Sequence, residues 1–261
     1  MEPAIIQFRK VEMAFGSKKI LDRVSFEVAQ GETLAVIGPS GSGKSTILRL
    51  LIGLLEPDAG EVIVSGQNVA GFDEDQWNQL RRHMGMVFQY SALFDFLNVG
   101  ENVAFGLRQH TMQSEAEIKS RVAAMLEMVG LPGLEEAYPV ELSGGMKKRV
   151  SLARAIALAP EIVLYDEPTA GLDPIMANVI SKLILKTKAS MGVTSILVTH
   201  DMESAFLAAD RIAMLYEGTI VAIGTVAEMK QSTHPIVQQF LQGQQVKEAF
   251  RREENCGEGN K

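Results

Sequence analysis

The chain has 261 residues, 46% of them hydrophobic and 22% charged, with a formal net charge of −7. That length builds one large domain or two modest ones around a real core, and the acidic balance withholds the basic footprint of a nucleic-acid binder. The single cysteine, Cys256, excludes an internal disulfide, and no apolar run approaches the ~20 residues that span a bilayer.

The opening MEPAIIQFRK lacks the basic flank and apolar stretch of a signal peptide, so a soluble protein of a reducing compartment is expected. IIQFRKVEMAF, VSFEVAQGE and EVIVSGQNV then read as short strands with Gly turns, an antiparallel β layer beside the main sheet. TLAVIG (33–38) reads as a buried strand leading into a helix from residue 44 to about 55. Residues about 90–155 read as wholly helical, an inserted subdomain. Within it Ser114 and Glu117 pair as a capping box, Ile118, Val122, Leu126 and Val129 share one helix face, and Gly130 stands at the C-cap.

EIVLYDE (161–167) is a further strand, followed by a helix with Asp173 as N-cap and Pro174 at N1. TSILVTH (194–200) and RIAMLYEG (211–218) complete the set. Strands alternating with helices imply an α/β fold with a mainly parallel core sheet and helices on both faces. Residues 225–243 carry more apolar side chains than an exposed tail needs, with Pro235 starting a second short helix. That face packs either on its own domain or on a neighbouring copy. The polar residues 244–261 are expected to be disordered, leaving 1–243 as the folded unit.

Gly38-Pro39-Ser40-Gly41-Ser42-Gly43-Lys44-Ser45-Thr46 matches the P-loop pattern after a strand and before a helix. Its glycines let backbone N–H groups turn toward phosphates, and the helix N-terminus adds its positive end. Lys44 is expected to reach the β- and γ-phosphates and Ser45 to hold Mg²⁺. Asp166 and Glu167 end a buried strand at the crevice where open α/β sheets bind ligands. Asp166 suits the metal; Glu167 suits orienting or deprotonating an attacking water. Gln89 and His200 also follow strand-like runs, offering an amide for metal or water and an imidazole for the γ-phosphate.

Taken together, these motifs resemble the ATP-binding cassette (ABC) ATPases, over residues about 5–241. The P-loop, Gln89 as Q-loop, LSGG (142–145) as signature, IVLYDE (162–167) as Walker B, GLD (171–173) as D-loop and His200 as switch histidine stand in the family's order. The resemblance implies ATP and Mg²⁺ as cofactors. It assigns Phe15 to stacking on adenine, with a core Phe as the other reading.

It also implies a homodimer in which two cassettes face head to tail, with each ATP sandwiched between one P-loop and the partner's signature. Ser143, Gly144 and Gly145 would then meet the partner's nucleotide, and Asp173 would stand in the D-loop beside it. Met146 departs from the Gln of many relatives; since the phosphate contacts are a Ser hydroxyl and backbone N–H groups, hydrolysis should survive the exchange.

LSGGM followed by Lys147-Lys148-Arg149, with YDEPTAGLDPI, looks like the ATPase subunits of Mla-type, Mce-associated phospholipid transporters. For this chain that implies a transport motor at the cytoplasmic face of the inner membrane, working with a separate permease and an Mce-domain protein. A polar-solute importer subunit and a soluble non-transport ABC ATPase are the alternatives; a P-loop kinase or GTPase leaves LSGG unexplained. Residues 91–108, with Phe94, Phe96 and Phe105, are either a permease-docking surface or subdomain core. The basic triplet 147–149 is expected to form a solvated helix face.

Overall fold

A computed structural model describes residues 4–243. The chain runs β1 (Ala4–Phe15), β2 (Lys18–Ala29), β3 (Thr33–Ile37), α1 (Lys44–Leu51), β4 (Ala59–Val64), β5 (Gln67–Asn68), α2 (Glu74–Arg81) and β6 (Met84–Val87). Helices α3 (Val99–His110), α4 (Glu115–Met128) and α5 (Gly144–Ile156) follow. Then come β7 (Ile162–Asp166), α6 (Pro174–Met191), β8 (Thr194–Thr199), α7 (Met202–Ala208), β9 (Arg211–Tyr216), β10 (Thr219–Thr225), α8 (Val226–Lys230) and α9 (Pro235–Leu241).

Two sheets result. One is antiparallel, ordered β2-β1-β4-β5; the other, ordered β10-β9-β3-β8-β7-β6, is parallel except where β10 turns back on β9. Strand alternation divides the core. From β3, Leu34 and Val36 face one apolar cluster while Ala35 and Ile37 face the other; from β7, Ile162 and Leu164 oppose Val163 and Tyr165 in the same way. The first cluster is closed by the antiparallel sheet, α1 and α2, and the second by the later helices. The β layer therefore covers a face of the main sheet, with α1 between the two sheets.

Two expectations are corrected. The helix expected to run to about residue 55 stops at Leu51, because Gly53 adopts φ 68 and a Cβ there would fall 2.3 Å from the Trp77 ring. Residues 90–155 are not wholly helical either. Asn102, fully buried on α3, accepts from the Phe94 amide at 2.8 Å and donates to the carbonyls of Phe94 and Leu97 at 3.0 Å. One amide side chain thus satisfies a stretch that makes no helix.

The Ser114–Glu117 capping box opens α4 as expected, and Ile118, Val122, Leu126 and Val129 are buried together. Their cluster is continuous with that of the parallel sheet. In the C-terminal helices Met229 and Val237 are buried in this same cluster, so the apolar face of 225–243 packs on its own chain. The expected disordered tail lies outside the described residues.

Candidate functional site

The P-loop leaves β3 under tight steric control. Gly38 has φ 153, and a Cβ on it would lie 2.1 Å from the Leu215 carbonyl oxygen. Gly43, at φ 105, is the N-cap of α1, where a Cβ would meet Leu21 and the Ile20 carbonyl. The loop lets Lys44 fold inward: it is 6% exposed, and its Nζ donates to the carbonyls of Gly38 at 2.9 Å and Pro39 at 3.0 Å. Burial pushes the Lys44 ammonium below its ordinary pKa, opposed by the charges of Glu167 and Asp166.

Ser45, the second residue of α1, donates to Asp166 Oδ1 at 3.0 Å. Burial raises the Asp166 pKa, and the Ser45 bond opposes that rise. Glu167 follows immediately in left-handed backbone, φ 47, with its amide donating to the Val198 carbonyl at 2.9 Å. Its carboxylate is held at the mouth of the site, with Oε2 2.8 Å from His200 Nδ1 and accepting from the His200 amide at 3.3 Å.

These groups converge on one open cleft of about 410 Å³. Phe15, Lys18, Ile20, Ser40, Gly41, Gly43, Lys44, Ser45, Thr46, Gln89, Glu167 and His200 line it. The core reading of Phe15 is overturned: the ring is 48% exposed at the cleft edge, because β1 ends there. Asp166 stands behind Ser45, while Gly38, Pro39 and Ser42 shape the loop. The oxygens of Ser45 and Asp166 are a hard, sparse donor pair of the kind that suits Mg²⁺ completed by phosphates, and Gln89 lines the same cleft. Among the described residues there is no cluster of three or more His, Cys, Asp or Glu for a self-sufficient metal cage.

Ser143, Gly144, Gly145 and Asp173 do not line this cleft. Ser143 caps α5, its Oγ accepting from the Met146 amide at 3.3 Å. Asp173 caps α6, its Oδ1 accepting from the amides of Ile175 and Met176 at 3.0 Å. Met146 packs against the helical side of the core.

The solvated face expected for 147–149 is corrected. Lys148 is 6% exposed and its Nζ donates to the carbonyls of Gln89 and Glu167. Arg149 donates to the carbonyls of Val129 and Gly130, a cation at the C-terminal end of α4. A triplet of like charges carries no period that separates inward from outward positions, so only packing distinguishes them. Sequence reasoning also missed Lys18 and Ile20, whose place at the cleft comes from the β1–β2 hairpin turning over the P-loop.

Comparison with known proteins agrees with this geometry. A family profile described as ABC transporter matches residues 21–170. The chain is 41% identical over 239 residues to the intermembrane phospholipid transport system ATP-binding protein MlaF of Escherichia coli, covering 92% of this chain and 89% of that protein. It is 46% identical over 255 residues to the chloroplast protein trigalactosyldiacylglycerol 3 of Arabidopsis thaliana, covering 92% and 74%. A probable ribonucleotide transport ATP-binding protein of Mycobacterium leprae is 39% identical over 241 residues, covering 92% and 70%.

Among solved structures, a dimeric ATP-binding cassette in a post-hydrolysis state with ADP and Pi superposes with a TM-score of 0.77 at 32% identity, covering 85% of this chain and 98% of that one. A cassette from Clostridium perfringens, part of an ABC transporter complex, reaches 0.82 at 29% identity, covering 92% and 96%.

Proposed function

This chain belongs to the ABC transporter ATP-binding family, and from that premise we propose that two copies work as the ATP-hydrolysing motor of a phospholipid transporter. The observation that carries the reading is the convergence of Lys44, Ser45, Gln89, Glu167 and His200 on one cleft while Ser143 and Gly145 stand away from it. A second copy placed head to tail supplies those missing groups, and Asp173 then lies beside the shared nucleotide. Ser45 and Asp166, with Gln89, would hold Mg²⁺, which neutralises phosphate charge when bound. Glu167 takes up the proton of the attacking water, and His200 orients that carboxylate.

No helix among the described residues is long and apolar enough to cross a membrane. The likeness to the phospholipid-transport relative supports a motor that acts through a separate permease, at the cytoplasmic face of the inner membrane. Tyr90 and Phe96, 87% and 77% exposed just beyond Gln89, with Phe105 joined to Phe96 through the Phe94 ring, form the surface we assign to that permease. Phospholipid as cargo and an Mce-domain protein as accessory partner rest on the likeness to the phospholipid-transport relative; the mycobacterial relative's name, ribonucleotide transport, favours a polar solute instead.

The test is to isolate the native complex around the tagged chain and reconstitute it between donor and acceptor vesicles with labelled phospholipid. MgATP-dependent lipid movement, abolished by Glu167→Gln, is the expected result. An active ATPase complex that moves polar solute and no lipid overturns the lipid assignment.

A further inference from the structure

Three cations of the helix that starts at the signature end on backbone oxygen, and two of them, Lys148 and Arg154, reach the loop that follows β6. Lys148 donates to the carbonyls of Gln89 and, at 3.4 Å, Glu167. Six residues on, Arg154 donates to the carbonyls of Ser91 at 2.9 Å and Ala92 at 2.6 Å. Three of these four acceptor residues sit in left-handed backbone: Glu167 at φ 47, Ser91 at φ 63 and Ala92 at φ 48. A residue with a Cβ holds that conformation only where its surroundings impose it. Charged donors on the carbonyls are among the stronger bonds available for the purpose.

A buried ammonium is costly unless its donors are satisfied, and an apolar side chain of equal length would fill the same space. Its placement is therefore informative. Lys148 touches the loop that offers the Gln89 amide and the loop that offers the Glu167 carboxylate, and joins both to the helix beginning at Ser143.

We propose that Lys148 is a positioning residue for ATP hydrolysis, fixing the Gln89 and Glu167 loops to each other and to the signature helix. Ser143 stands five residues upstream, about 7.5 Å along rigid helix. Seating the signature on a partner's nucleotide is thereby transmitted through one side chain to both loops of the chain's own site. Arg154 secures the far end of the Gln89 loop in the same manner. The inference rests on the catalytic reading of Glu167 and Gln89 given above.

The experiment compares the full chain with Lys148→Met and Lys148→Arg, reading MgATP affinity, steady-state ATPase and amide hydrogen exchange. Lys148→Met should lower kcat by about ten- to a hundredfold with ATP affinity within about threefold of the parent. Exchange should quicken in residues 88–92 and 167–170 together, and Lys148→Arg should restore both properties. Parental turnover in the Met variant overturns the proposal, as does a loss of affinity matching the loss of kcat, which would make Lys148 a nucleotide-binding residue. If Lys148→Met does not fold, Lys148→Gln, one bond too short to reach both carbonyls, is judged by the same criteria. A parent chain without ATPase activity overturns the functional reading instead. The exchange comparison needs no turnover and decides separately whether Lys148 holds the two loops.

Discussion

Nδ1 of His200 lies 2.8 Å from Oε2 of Glu167, joining the residue that follows β8 to the one that follows β7. The contact aims a carboxylate that is 12% exposed, while the imidazole stays 60% exposed toward the cleft. On the proposed reading Glu167 is the base, and Glu167→Gln keeps its shape without its basicity, so MgATP binding should persist while turnover falls by about 10²–10⁴. The closed dimer should accumulate with ATP. Turnover within a few-fold of the parent would remove Glu167 from the role of base.

Lys44 is anchored on two loop carbonyls and buried among P-loop atoms. On the proposed reading the Lys44 ammonium balances β- and γ-phosphate charge, so Lys44→Ala should weaken nucleotide binding itself. Equilibrium binding of a fluorescent ATP analogue reads the effect, and an unchanged affinity for MgATP would count against the P-loop assignment. Gly38→Ala should do comparable damage through sterics, since its Cβ would overlap the Leu215 carbonyl.

The separation of Ser143 from the cleft predicts shared sites. Ser143→Arg should leave ATP binding by one chain intact and block closure around a partner's γ-phosphate. A mixed dimer of Ser143→Arg with Lys44→Ala then carries one site with both lesions and one with neither. ATPase activity should partly recover on mixing. No recovery, with mixed dimers shown to form, would place each site within one chain.

At the C-terminal end, Met229 and Val237 are 3% and 0% exposed. Met229→Ala should cost about 2–5 kcal/mol and lower the melting temperature by roughly 5–15 °C. Ending the chain at Ala222 removes the whole face and should cause earlier melting or aggregation, read by calorimetry and light scattering. A truncated chain that melts like the parent would show that the segment's packing contributes nothing to stability.

Much of this was legible in the residues. Local chemistry determined the P-loop, the caps at Ser114 and Asp173, and the strand ends that deliver Asp166, Glu167 and His200, because each depends on a few neighbours in the chain. Those signals survive without any knowledge of packing: a glycine that alone tolerates its φ, a proline at N1, a buried run ending in carboxylates. The boundaries that failed were set from a distance. Trp77 on α2 meets Gly53 and the end of α1, and Asn102 holds residues 94–97 out of helix.

What the sequence by itself determined is the set of groups: a glycine-rich P-loop, two carboxylates at the end of one strand, an imidazole at the end of another and an LSGG motif elsewhere. Only the tertiary structure decided which cations serve them. In the run 147–149 all three side chains are cationic, and nothing local tells the solvated ammonium of one lysine from the buried ammonium of the next. The packing of α5 against β6 turned Lys148 inward onto the carbonyls of Gln89 and Glu167, residues 59 and 19 positions away. A hydrogen bond between such distant positions depends on where two backbones meet, which no pattern of neighbouring residues encodes.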